Sequence, residues 1–127
     1  MIPPRHWNLC LPREIVSGNV LAYGHFRARM KDRDSWIAHL KVQRSLLAGG
    51  IPDAAMPRTV HITSKRHGIL DDDNLSGGAK HLRDALSRTR LIYDDNRLWV
   101  RVVYHQDLIP RKDPCHTLIL ITEGIEA

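Results

Sequence analysis

The sequence lacks the segments that place a protein in or across a membrane. No run of apolar residues is long enough to span a bilayer. Residues 1–6 lack the apolar core of a signal peptide. Cysteine is also scarce, since only Cys10 and Cys115 occur, and this argues against a disulfide framework. We therefore expect a cytoplasmic protein.

Internal repeats and low-complexity tracts are absent as well. The 127 residues are enough to bury the core of one domain and too few for two well-formed ones. An apolar content of 43% and a charged content of 26% are those of a soluble globular protein. We therefore treat residues 1–127 as a single domain.

The chain is basic. Nineteen Lys and Arg residues against 14 Asp and Glu give a formal net charge of +5. A positive excess favours polyanions as partners, because it attracts phosphate backbones over a distance. Many small proteins are basic without touching nucleic acid, so the charge gains weight only beside a site that acts on phosphate.

Hydrophobic periodicity predicts a small α/β (α+β) fold with a mixed, largely antiparallel sheet and two main helices. The strands are predicted at residues 6–12, 60–63, 98–104 and 116–122, and the last of these is apolar on both faces, as a central strand is. The first helix is predicted to begin at Asp34 or Ser35 and to end at Gly49-Gly50, and the second to run over residues 79–90.

Arg27, Arg29 and Lys31 alternate with other residues in the segment between the first strand and the first helix. We expect this segment to be extended or a hairpin with one basic edge that contacts phosphates. A solvated loop is an equal alternative, because Lys and Arg lie mostly at surfaces. Lys65 and Arg66 are predicted in a turn that leads to a cluster of acids, and they are further candidates for contact with DNA.

Three successive carboxylates, Asp71, Asp72 and Asp73, precede the second helix, and the pair Asp94-Asp95 follows it. Two carboxylates about 4 Å apart repel by roughly 4 kcal/mol at an effective dielectric near 20. A convergent cluster therefore needs a cation or a shared proton, and Mg²⁺ prefers oxygen ligands of this kind.

Chain length allows the two acid groups to meet. The second helix advances about 18 Å from the first acids, and five extended residues after it recover about 16 Å. In an extended segment Asp71 and Asp73 point to one side, so these two and Asp95 form the expected triad. The same reasoning makes the second and third strands antiparallel if they are neighbours.

The acids, a helix amino terminus and Lys80 together suit phosphodiester hydrolysis. A divalent ion would polarise the phosphoryl oxygen, and Lys80 would offset charge that builds on the phosphate in the transition state. The competing interpretation is a solvated turn with an Asx cap at Asp71, an exposed Lys80–Asp84 pair and a second turn before a strand. Composition and spacing alone give the two interpretations about equal weight.

The acidic motifs resemble those of the RusA family of Holliday junction resolvases. That family consists of small, basic, homodimeric, Mg²⁺-dependent endonucleases that phages and prophages often encode. Its pattern is Asp-x-Asp-Asn-Leu, then Lys-x-x-x-Asp-Ala-Leu, then an Asp-Asp pair. In this sequence the pattern stands as Asp71-Asp72-Asp73-Asn74-Leu75, Lys80-His81-Leu82-Arg83-Asp84-Ala85-Leu86 and Asp94-Asp95.

The resemblance implies that Asp71, Asp73 and Asp95 are catalytic, metal-binding acids and that Lys80 is an active-site lysine. It further implies Mg²⁺, with Mn²⁺ as a possible substitute, branched DNA as substrate, and roles in DNA recombination and repair in a bacterial or phage-infected cell. Outside residues 71–95 it is looser, with Ser17-x-Asn19 similar to a family element. The spacer Ser76-Gly77-Gly78-Ala79 is longer than the usual single residue, and it either displaces Lys80 or bulges the loop into the helix.

Two rivals to a junction resolvase stay open. One is a metal-dependent nuclease for another branched DNA, and the other is a binding protein of the same fold whose site the longer spacer has spoiled. A homodimer is expected from the resemblance. It is also expected from Trp36, Ile37 and Leu40, which offer more apolar surface than a monomer of this size needs.

Overall fold

A computed structural model of the chain describes residues 4–47, 50–52 and 55–126, apart from the side chain of Tyr23. The elements in chain order are β1 (His6–Leu11), α1 (Gly18–Tyr23), α2 (Phe26–Ser45), β2 (Arg58–Arg66), α3 (Asp72–Gly78), α4 (Lys80–Arg88), β3 (Val100–Leu108) and β4 (His116–Glu123). The predicted class is confirmed, because the strands form one mixed, mostly antiparallel sheet of four strands in the order β1-β4-β2-β3. As predicted, β4 is a central strand.

The pairing of β2 with β3 contradicts the sequence-based prediction. The two strands are neighbours but run parallel, with Arg58 opposite Val100 and Arg66 opposite Leu108. Parallel neighbours need a crossover connection, and α3 and α4 supply it. The chain after α4 is not extended either, because the backbone N–H groups of Leu91 and Ile92 both donate to the carbonyl of Leu86 and turns follow at residues 97–99.

The core lies between the helices and one face of the sheet. Alternate strand residues such as Ile62 on β2 and Ile119 on β4 are buried, and so are Leu82 and Leu86 on α4. Every second residue of a strand points to the same face of the sheet, and the apolar residues of α4 form one stripe along the helix. This stripe packs on the buried face of the sheet. The opposite face of the sheet carries half-exposed side chains, of which His61 is one.

Helix α2 begins eight residues before the predicted start at Asp34, since it runs over Phe26–Ser45. Arg27, Arg29 and Lys31 therefore lie on a helix, and the prediction of an extended basic edge is wrong. On a helix, residues two positions apart do not face each other, so Arg29 lies away from the side shared by Arg27 and Lys31. The predicted end at Gly49 falls outside the described residues.

The apolar surface that favoured a homodimer is used within the chain. Trp36 and Leu40 are both fully buried in the core, and Ile37 is partly buried against it. This reason for expecting a homodimer is therefore removed, and the dimer remains a proposal from the resemblance alone.

Several charged side chains are buried and hold distant segments together. Arg66 is 6% exposed. It donates hydrogen bonds to the carbonyl of Ile15 at 2.6 Å and to the carbonyl of Gly68 at 2.7 Å. Asp32, which is 5% exposed, forms an ion pair with Arg13 and lies 3.0 Å from Nδ1 of His81. Buried charges are stable only with such partners.

Candidate functional site

The first acid of the cluster caps a helix. Asp71 is the N-cap of α3, and its Oδ1 accepts a hydrogen bond from the backbone N–H of Asn74 at 2.8 Å. Its Oδ2 accepts a second from the side-chain amide of Asn74 at 3.0 Å. These two hydrogen bonds hold the pKa of the Asp71 carboxyl below its usual value. Asp71 is therefore ionised at neutral pH, and the Asx cap of the competing interpretation is present.

Asp72 and Asp73 lie in the first turn of α3, where negative charge suits the helix dipole. The prediction that Asp71 and Asp73 project from one side of an extended segment is therefore wrong in its backbone geometry. Both Asp72 and Asp73 are exposed. Within the described residues the Asp73 carboxylate has no hydrogen-bond or ion-pair partner, which distinguishes it from Asp71.

The segment before α1 is built against α3. Ser17 caps α1 by accepting a hydrogen bond from the backbone N–H of Val20 at 3.2 Å. The backbone N–H of Asn19 donates to Oδ1 of Asn74 at 3.0 Å. The Ser17-x-Asn19 element thus meets the acidic motif directly, and the two line one depression. Its lining residues are Gly18, Asn19, Asp71, Asp72, Asp73, Asn74 and Gly77.

The two glycines of the spacer have a packing function. A Cβ placed on Gly78 would lie 1.7 Å from the carbonyl oxygen of Val16, far inside van der Waals contact. A Cβ on Gly77 would lie 3.3 Å from the Cα of Gly18. Gly77 and Gly78 therefore allow α3 to lie directly on the backbone of residues 16–18. The sequence favoured a weak helix start here, whereas α3 is helical from Asp72 to Gly78.

Lys80 begins α4, directly after this packed turn. It lines a depression of about 330 Å³ together with Asp73, Ser76, Gly77, Arg83 and Asp95. The longer spacer thus leaves Lys80 beside Asp73 and Asp95. Lys80 is exposed, and its amine has no hydrogen-bond or ion-pair partner in the part of the chain that the structure describes.

Asp95 is held from α4 by an arginine that the sequence did not single out. Nε and Nη2 of Arg83 donate to the same oxygen, Oδ1 of Asp95, at 3.0 and 2.7 Å. Nη1 of Arg83 donates to the hydroxyl of Tyr104 at 3.2 Å. Burial raises the pKa of the Tyr104 phenol. Burial is the largest single influence on the pKa of Arg83 and lowers it, but the hydrogen bonds and charges of Asp95 and Tyr104 together outweigh burial, so this pKa is raised.

Asp94 supports the turn that presents Asp95. Its Oδ1 accepts from the backbone N–H of Asp95 at 2.8 Å, and its Oδ2 accepts from the side chain of Asn96 at 2.9 Å. Its two oxygens are thus used locally.

The three predicted metal ligands are brought near one another but not to a single point. Asp73 shares one depression with Asp71 and another with Asp95. Across residues 4–47, 50–52 and 55–126, no three His, Cys, Asp or Glu side chains converge closely enough to hold a metal ion. The donors still fit a hard divalent cation in their chemistry, because all three are carboxylates. Oδ2 of Asp95 and the carboxylate of Asp73 are the oxygens without a described partner.

The predicted DNA contacts separate into three groups. Arg66 is buried and fully engaged in internal hydrogen bonds, so it is not available to a phosphate. Lys65 is the neighbouring residue of β2, not of a turn, and it forms an ion pair with Asp107 on the adjacent strand. Arg27 and Lys31 are exposed on α2, four residues apart on one side of the helix, whereas Arg29 is half-buried and lies away from that side.

No helix among the described residues is long and apolar enough to cross a membrane. A comparison with models of known protein families gave no match, and a search of curated proteins gave none either.

Proposed function

We propose that the chain is a Mg²⁺-dependent, structure-selective endodeoxyribonuclease that resolves four-way DNA junctions by paired phosphodiester hydrolysis. The supporting observation is the depression that Asp73, Lys80 and Asp95 line together, with Asp71 in the adjoining one. Carboxylate oxygens and an exposed amine around one concave surface are the groups that hydrolysis of a phosphodiester needs. The resemblance to RusA-type resolvases supplies the substrate class.

The proposed roles follow from the state of each side chain. Asp73 and Asp95 each offer an oxygen that no described residue occupies, so they and Asp71 would hold the cation. The cation would supply Lewis acidity at the phosphoryl oxygen and a more acidic bound water. Lys80 carries an exposed positive charge in the same depression and would stabilise charge on the phosphate oxygens. Mn²⁺ has the same ligand preference and is expected to substitute.

Binding of DNA would rest on the net charge of +5 and on exposed cations such as Arg27 and Lys31. Each phosphate that a cation contacts releases counterions, so binding should weaken steeply with salt. Paired symmetric cuts need two equivalent sites, and a two-fold homodimer is the simplest arrangement that presents them. We propose such a homodimer, acting in the cytoplasm of a bacterial or phage-infected cell in recombination and repair.

The decisive experiment uses the substitution Asp73→Asn. The amide is nearly isosteric, so the fold should survive, but it offers a neutral ligand where a hard cation prefers an anionic one. We expect Mg²⁺-dependent cleavage of a fixed four-way junction to be abolished while junction binding is kept or improved, because one repulsive charge is lost. Cleavage would be followed on denaturing gels, and binding by gel shift in chelator.

Asp34→Asn is the matched control, because Asp34 is an exposed aspartate on α2 outside the depression. It should cut as the wild type does. If the wild type cuts and Asp73→Asn cuts equally well, the site assignment is wrong. If the wild type never nicks a junction with Mg²⁺ or Mn²⁺, the enzyme proposal is wrong.

A second candidate is a junction-binding protein without catalysis. The observation that favours it is the lack of convergence of three ligand side chains in the described residues. The same assay separates the two, since a pure binder has no cleavage to lose. Running a linear duplex and a flap substrate beside the junction would reveal the third possibility, a nuclease for other branched DNA.

A further inference from the structure

The feature that carries the inference is the chain of contacts from Tyr104 through Arg83 to Asp95. Arg83 uses two of its nitrogens on a single oxygen of Asp95 and a third on the hydroxyl of Tyr104. The guanidinium is thereby anchored to β3 at one end. At the other it fixes Oδ1 of Asp95 and leaves Oδ2 without a described partner.

The pair that Arg88 forms on the same helix differs from the Arg83–Asp95 pair in its exposure and in its location. Nε of Arg88 donates to Asp84 at 2.8 Å, which is an ordinary pair of residues one helical turn apart. The Arg88 and Asp84 side chains are 54% and 45% exposed, whereas those of Arg83 and Asp95 are both 31% exposed. Neither Arg88 nor Asp84 lines the depression that contains Asp73 and Lys80. An exposed pair of that kind contributes little.

We propose that Arg83 is a positioning residue, which orients the Asp95 carboxylate so that its second oxygen is presented to a divalent cation at the depression. The proposal rests on the proposed nuclease function and deepens it. Carboxylates that bind a metal are in turn held by hydrogen bonds from the protein, and loss of such a contact typically costs about 10–100-fold in metal affinity or activity.

Electrostatics makes this proposal sharply testable, because charge and orientation predict opposite results. If Arg83 acted only as a positive charge, its removal would strengthen cation binding, since like charges near one site repel. If Arg83 orients Asp95, its removal weakens cation binding in spite of the more negative site. The sign of the change therefore distinguishes the two roles.

The experiment measures the affinity of Mn²⁺ for the full chain by isothermal titration calorimetry, and separately the rate of junction cleavage. We expect Arg83→Gln to weaken Mn²⁺ binding about 10–100-fold and to slow cleavage at limiting metal. Arg83→Lys keeps the charge but cannot reproduce the two contacts to one oxygen together with the third to Tyr104, so it should not restore affinity. Arg88→Gln is the control and should behave as the wild type does.

Tyr104→Phe keeps Arg83 and removes only its anchor, so it tests the proposal even if Arg83→Gln folds poorly. A smaller loss of Mn²⁺ affinity is expected, with thermal unfolding close to that of the wild type. Unchanged or tighter Mn²⁺ binding in both Arg83→Gln and Tyr104→Phe would overturn the positioning role while leaving the proposed function intact. A wild type that neither binds Mn²⁺ nor cuts junctions would overturn the proposed function, and this role with it.

Discussion

The two sides of the α3–α4 pair differ in burial: one side is packed against the rest of the chain, and the other presents exposed charged residues. The inner side packs through Gly78 on the backbone of Val16, in a segment that the buried Arg66 fixes through the carbonyl of Ile15. The outer side presents Asp73 and Lys80, which are exposed and have no partner among the described side chains. Buried polar groups need hydrogen-bond partners within the protein, whereas exposed polar groups can bind water instead. Substitutions on the inner side should therefore cost stability, and those on the outer side should cost activity alone.

The largest effect is expected from Gly78→Ala. Its Cβ would meet the carbonyl oxygen of Val16 at 1.7 Å, and a backbone atom cannot swing aside as a side chain can. We expect a loss of at least about 4 kcal/mol of unfolding free energy, above the usual range for overpacking. Denaturant unfolding would measure it. Gly68→Ala is the control, because nothing lies within 4 Å of the added Cβ, and an effect of similar size there would contradict the packing argument.

Lys80→Ala should act on the outer side only. A charge-stabilising contact made chiefly in the transition state is typically worth about 2.7 to 4 kcal/mol, or about 10²–10³ in rate. We expect slower junction cleavage under single-turnover conditions, with junction affinity and unfolding free energy nearly unchanged. Full activity in this variant would show that Lys80 lines the depression without acting on the phosphate.

Arg66→Met tests the inner side without adding a clash. It leaves the carbonyl of Ile15 without its hydrogen bond, and an unsatisfied buried acceptor costs about 1–3 kcal/mol. Lys65→Met removes the neighbouring cation, whose pair with Asp107 is partly exposed and worth at most about 1 kcal/mol. Unfolding in denaturant should rank the two variants in that order. Equal losses would mean that Arg66 does not hold the segment before α1.

The smallest expected effect is a decrease in unfolding free energy at alkaline pH that is caused by Tyr104. Burial raises the pKa of this phenol, so ionisation is harder in the folded chain than in the unfolded one. Its contribution to stability is present below the ordinary pKa of about 10 and is lost as pH rises above it. Unfolding free energy should fall more steeply above that pH in the wild type than in Tyr104→Phe.

Strands that bury one face could be predicted, because apolar and polar residues alternate along them with a period of two. Val60 and Ile62 on β2 carry that signal, whereas β4 was predictable from a continuous apolar run, which is typical of a central strand. The start of α2 carried no signal, because its first turns are largely exposed and its apolar stripe begins only at Trp36.

Residue spacing predicted that Asp95 returns to Asp73, and both line one depression. Spacing alone could not give the direction of β3, since a crossover helix and an extended return cover similar lengths. The ion pair between Arg83 and Asp95 could not be predicted either. The sequence of an amphipathic helix does not indicate which residue of a later turn one of its arginines will contact. Gly77 and Gly78 lower the helix propensity of the sequence. Glycine is needed at these positions because α3 packs against the backbone of a segment about sixty residues earlier in the chain.

The strand order also sets when the sheet can form. β4 is last of the four in the chain, yet it lies between β1 and β2 and pairs with both. His6 is paired with Thr122, so almost the whole chain separates these partners. Contacts of such long range slow folding, because loop closure must come before they give any stability. β1 stays unpaired until β4 arrives, so a ribosome-bound chain lacking β4 should expose β1 as an open edge, where chaperones or aggregation would act first.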